Sequence, residues 1–104
     1  MSEVIITKAS QIQKIVGEVY DEVVRAATMF DPMHSPHEAL GVIEEEWEEY
    51  KAEVWKFNPR KNRDTRQRQR EELIQLAAMA VRAVLDTVDF GKIYDIPPTS
   101  NASC

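Results

Sequence analysis

The chain has almost no cysteine. Its single thiol, Cys104, is the last of 104 residues, so no intrachain disulfide can form and nothing points to an oxidising compartment. Glycine and proline are scarce, at 3 and 5 residues, which excludes collagen-like and low-complexity chains and leaves long helices few internal breaks. No apolar run approaches the ~18 residues that a membrane span needs. The opening Met1-Ser2-Glu3-Val4-Ile5-Ile6-Thr7 also lacks the basic start and apolar core of a signal peptide. A cytoplasmic protein without membrane association is expected. Strand signals are missing as well, since no alternating run follows Val4-Ile5-Ile6.

What is present is charge and helical periodicity. Charged residues make up 30% of the chain and apolar residues 43%, with a net charge of −5 that argues against generic nucleic-acid binding. The length fits one domain, and one this small often gains stability by self-association, so a homodimer or homotetramer is expected. The pattern predicts an all-α fold, an antiparallel bundle of about three main helices over residues 10–90, completed by oligomerisation. Residues 1–9 form an N-terminal segment in this reading and 91–104 a flexible tail.

The first helix is expected from Ser10, as N-cap, to about Phe30, with an apolar stripe of Ile12, Ile15, Val16, Val19, Val23 and Ala26. Ser35-Pro36-His37-Glu38 marks the second start: serine N-cap, proline at the first helical position, glutamate at the third. That helix is expected to end near Lys56. Its Leu40, Ile43, Trp47, Tyr50, Val54 and Phe57 form the stripe a helix buries against bundle partners. Pro59 marks a tight connection, and a third helix is expected from near Asp64 to about Val88. It is apolar around most of its circumference from Leu73 onward, except for a polar stripe of Glu72, Gln75, Arg82 and Asp86.

Doubling the chain back near Arg60 sets Glu48 level with Glu72 and Glu45 level with Gln75, so two three-residue spacings stack across one interface. Carboxylates this close repel one another as they lose water, and a divalent cation resolves the conflict. An all-oxygen donor set suits Mg²⁺, or Mn²⁺, better than zinc. The bland alternative is that the acids from Glu44 to Glu53 are a solvated helix face.

At these residues the chain resembles the MazG-like all-α nucleoside triphosphate pyrophosphohydrolases, which are related more distantly to the dimeric dUTPases. Their hallmark is Glu-x-x-Glu followed, on the next helix, by Glu-x-x-Asp. Ile43-Glu44-Glu45-Glu46-Trp47-Glu48 is similar to the first half, with Glu45 and Glu48 as the ligand pair, and Glu72-Leu73-Ile74-Gln75 to the second. Gln75 stands where the family has aspartate and contributes no charge. Asp86 is no substitute, lying ~16 Å further along the helix. The resemblance implies metal-assisted attack of water on a nucleoside triphosphate, releasing the monophosphate and pyrophosphate, with Glu44 or Glu49 accepting the proton.

Substrate contacts are expected from His37, Glu38, Trp55, Lys56 and Arg82. Glu38 also suits the capping box, His37 a solvated first turn, and Arg82 a pairing with Asp86. Between Lys56 and Arg70, seven basic residues face one acid, Asp64. This supports a second reading, a non-catalytic helical oligomerisation module that binds nucleic acid or a protein partner through residues 56–70. The alternative for these residues is ion pairing with the acidic helix.

Overall fold

A computed structural model describes residues 7–89. Three helices account for most of them: α1 (Lys8–Met29), α2 (Pro36–Lys56) and α3 (Arg66–Ala83), the last running on into a π-helical turn over Val84–Asp89. Among the described residues there is no strand, and no helix is long and apolar enough to cross a membrane. The expected tail at 91–104 and the Val4-Ile5-Ile6 run lie outside the described residues.

The α1 cap is Thr7 rather than Ser10. The Thr7 hydroxyl accepts the Ser10 N–H at 3.1 Å, and Ser10 sits inside the first turn, returning its own hydroxyl to the Thr7 carbonyl at 2.9 Å. The start of α2 is as the sequence predicts: Ser35 Oγ accepts from Glu38 N at 3.1 Å, with Pro36 at the first position. Glu38 Oε1 takes the His34 N–H at 2.7 Å rather than the Ser35 N–H of a closed capping box. Between α2 and α3 the chain turns through a short 3₁₀ segment, Pro59–Lys61, and Asn62 in the left-handed region at φ 56°. Asn58 and Arg63 close that turn by exchanging backbone hydrogen bonds of 2.8 and 2.9 Å. A left-handed residue suits Asn, whose short polar side chain tolerates it.

α3 is the central element and packs against both α1 and α2. The core is small and built of Ala26, Met33, Ala39, Ala78 and Met79, bordered by Val19, Val23, Val42, Ile43 and Ala83. The apolar stripe predicted for α2 is not buried within the chain, and the apolar segment from Leu73 onward is buried only at Ala78 and Met79 and half-buried at Ile74, Leu76 and Leu85. Leu40 is 55% exposed and Trp47 46%, with Val54 also on the surface, while Ile43, Tyr50 and Phe57 are half-buried. On α3 and the π-helical turn, Leu73, Val81 and Val84 are exposed, whereas Glu72, Gln75 and Asp86 are half-buried and Arg82 is buried. Ile12, Ile15 and Val16 of α1 are likewise exposed, and only its C-terminal half meets the core. Within the chain, two charged residues, Glu53 and Arg82, are thus buried while Leu40, Trp47, Leu73 and Val81 stay exposed.

Candidate metal centre

Beyond the apolar contacts that Ala39, Val42 and Ile43 make with Ala78 and Met79, acids of α2 and α3 meet at the interface. One carboxylate oxygen from each of Glu46, Glu49 and Glu72 lies within 4.8 Å of the others. Glu72 and Glu46 are half-buried and Glu49 is at the exposed rim. One oxygen of Glu46, Oε1, is shut off from solvent and has no hydrogen-bond partner among the described residues. Burial first, then the charges of Glu49, Glu72, Glu45 and Glu22, push the Glu46 carboxyl up to about 7. Glu72 is raised as well, by burial first and then by the neighbouring Glu49 carboxyl. These are the signs of carboxylates held together against their mutual repulsion.

The expected ligand set, Glu45, Glu48, Glu72 and Gln75, shares only Glu72 with this cluster. Glu45 and Glu48 are exposed, and Glu48 pairs with Lys51 at 3.1 Å. The reason is rotational: each residue step turns a helix by about 100°, and α2 presents Glu46, Glu49 and Glu53 to α3. Glu53 is 7% exposed and is matched by Lys56 at 3.4 Å and Arg68 at 3.7 Å. Gln75 is half-buried, and Glu22 of α1, which the Arg25 guanidinium holds below the usual carboxylate range, is lowered a little further by Gln75. Glu22 also acts on Glu46. Sequence reasoning missed Glu22, because no local spacing ties α1 to the acidic hairpin.

Of the other expected residues, Glu44 is exposed outside the cluster and Glu49 lies within it. His37 is exposed, and so is Trp55, at 80%. Glu38 and Arg82 both line a cleft of about 340 Å³ that adjoins the cluster through Glu46. The expected Arg82–Asp86 pairing is present at 3.9 Å. In the basic stretch, Lys56 and Arg68 engage Glu53, Arg66 engages Asp64 at 2.7 Å, and Arg70 engages Glu18 at 2.6 Å. Arg66 also lies over the Phe57 ring. Arg60, Lys61 and Arg63 remain exposed at the tip.

No protein-family description, curated protein or solved structure matches the chain.

Proposed function

We propose that the chain is a metal-dependent nucleoside triphosphate pyrophosphohydrolase, releasing a nucleoside monophosphate and pyrophosphate, and that it works as a homodimer or homotetramer. The observation that carries the reading is Glu46, a carboxylate with one buried, unpartnered oxygen held beside two further carboxylates. Leaving a buried acceptor unmatched is costly, and a divalent cation would relieve both that cost and the repulsion. The donor set is all oxygen and without sulfur, which fits Mg²⁺, with Mn²⁺ as the alternative. Glu46-x-x-Glu49 followed by Glu72 also keeps the MazG-like hallmark up to Gln75, which stands in place of its aspartate, one residue along from the pair that the sequence first suggests.

When bound, Mg²⁺ supplies neutralisation of the phosphates and a lowered pKa for water. The chain's residues do the rest. Glu46, Glu49 and Glu72 converge from two helices on one point. Of the two candidates to accept a proton from water, Glu49 is in the cluster and Glu44 is not, so the role falls to the carboxylate oxygen of Glu49 that the cluster does not use.

The outward apolar faces support self-association. Leu40, Trp47 and Val54 recur every seven residues along α2, a repeat that suits a helical partner. The alternative of a nucleic-acid module has less support, because Lys56, Arg66, Arg68 and Arg70 are matched by acids within the chain. The test is pyrophosphate release from a panel of canonical and modified nucleoside triphosphates with Mg²⁺. Release that chelator abolishes, and that Glu49→Gln and Glu72→Gln each reduce by at least about a hundredfold, is expected. Silence across the panel contradicts the reading.

A further inference from the structure

We propose that the cleft beside the carboxylate cluster is a nucleobase subsite, and that its polar groups select a base carrying both a carbonyl and an exocyclic amino group, guanine or cytosine. The inference rests on the proposed function only in naming a nucleotide as the ligand. The cleft lies between the 30–33 connection, α2 and α3, and Glu46 is common to it and to the cluster. A group bound there is therefore adjacent to the proposed phosphate chemistry.

Arg82 provides the main observation. Its side chain lines the cleft and the residue is only 5% exposed, yet its five N–H donors are poorly served. Nη2 donates to the Asp31 carbonyl at 3.0 Å, and Nη1 has the Met79 thioether at 3.7 Å, a weak acceptor. The Asp86 carboxylate is at 3.9 Å and is itself engaged by the Met33 N–H at 2.9 Å. Nε has no partner among the described residues. A buried guanidinium short of acceptors in a cleft wall points to a ligand that brings one.

The rest of the lining decides which ligand. Phe30, Met33, Val42 and Met79 give apolar and sulfur-bearing surface suited to the faces of a flat ring. Glu38 and Glu45 bring carboxylates on the α2 side. Glu38 is already used by the His34 N–H, and Glu45 is exposed and accepts from an amino group. A phosphate in this cleft would meet Glu38, Glu45 and Glu46 as well as one arginine already near Asp86. An uncharged ring with both kinds of group satisfies the two sides. The forked guanidinium of Arg82 takes two adjacent acceptors, which guanine (O6 and N7) and cytosine (O2 and N3) offer and adenine, with one ring nitrogen beside its amine, does not, while uracil and thymine lack the amine.

The test uses uncharged nucleosides, which need neither metal nor hydrolysis. The full chain with ¹³C-methyl methionine is titrated without Mg²⁺ with guanosine, cytidine, adenosine and uridine. The Met33 and Met79 signals are expected to shift with guanosine or cytidine at a dissociation constant at least about tenfold below those for adenosine and uridine. Arg82→Lys is expected to abolish that preference. Glu45→Gln, a change at an exposed position that keeps the fold, is expected to reduce it. Unmoved methionine signals, equal affinities for all four, or an unchanged preference in the Glu45→Gln chain would each overturn the subsite. Pyrophosphate release from triphosphates with no methionine response sinks the subsite and leaves the hydrolase. A selective response without pyrophosphate release does the reverse.

Discussion

Glu49 and Glu72 bring carboxylate oxygens within 4.8 Å of each other across the α2–α3 interface, and an oxygen of Glu46 stands within the same distance of both. If this cluster holds the metal, Mg²⁺ raises the melting temperature by several degrees, since a ligand that binds only the native state at a hundred times its dissociation constant adds about 2.7 kcal/mol. Glu46→Gln, Glu49→Gln and Glu72→Gln are expected to lose the shift in differential scanning fluorimetry. Glu48→Gln is expected to keep it, its carboxylate being exposed and paired with Lys51. Loss of the shift in Glu48→Gln with retention in Glu49→Gln would reverse the assignment.

The metal-free chain should lose stability as pH rises from about 4.5 to about 7. Burial and neighbouring acids lift Glu46 from 4.5 to about 7, so within that window the folded state keeps a proton that the unfolded state has released. Glu72 is shifted in the same direction. Glu18 and Glu22, held down by Arg70 and Arg25, contribute stability that is lost only below the ordinary glutamate range, so they do not cancel the effect. Allowing for partial solvent screening, the loss is on the order of 2 kcal/mol. Urea midpoints on both sides of the window measure it, and Glu46→Gln is expected to flatten the profile. A profile equally steep in Glu46→Gln would remove Glu46 as its cause.

Much of the hairpin was legible in the sequence, and its rotation was not. Ser35-Pro36 and Pro59 marked its start and tip. The level of each residue was right to within one position, as the Asn58–Arg63, Glu53–Arg68 and Glu49–Glu72 pairs show. Glu-x-x-Glu, however, occurs twice, at Glu45/Glu48 and at Glu46/Glu49. The two registers differ by about 100° on the helix, and spacing alone does not choose between them. The choice depends on where Leu40, Trp47 and Val54 go. Placing that stripe in the chain's own core turns the wrong acids toward α3, whereas leaving it outside turns Glu46, Glu49 and Glu53 inward. The contribution of Glu22 was beyond local motifs because it depends on how α1 docks.

Gln75→Asp would add a carboxylate beside Glu22 and the cluster. Isothermal titration is expected to show tighter Mg²⁺ binding, by about tenfold, and thermal melts a lower metal-free stability, because each added charge increases both repulsion and cation attraction. Unchanged affinity would place Gln75 outside the cation's reach.

Arg82→Ala is expected to destabilise the chain by about 3 kcal/mol in urea denaturation, since it strips the Asp31 carbonyl of its partner and leaves Asp86 with the Met33 N–H as its remaining contact. A cost below about 0.5 kcal/mol, typical of a surface change, would show that the guanidinium does not hold the 30–33 connection.

The outward stripe predicts assembly. Sedimentation is expected to give a mass two or four times the chain's 12.0 kDa, and Leu40→Glu with Val54→Glu is expected to return it to the monomer by placing charge in an apolar contact. A monomeric wild-type chain would leave those residues without the role assigned to them.

The central claim is tested most directly by ³¹P NMR of a nucleoside triphosphate incubated with the full chain and Mg²⁺. The account predicts resonances of the monophosphate and pyrophosphate growing in equal amounts, and none in the Glu49→Gln chain. Appearance of the diphosphate and orthophosphate, or triphosphate left intact across the nucleotides tried, would contradict it.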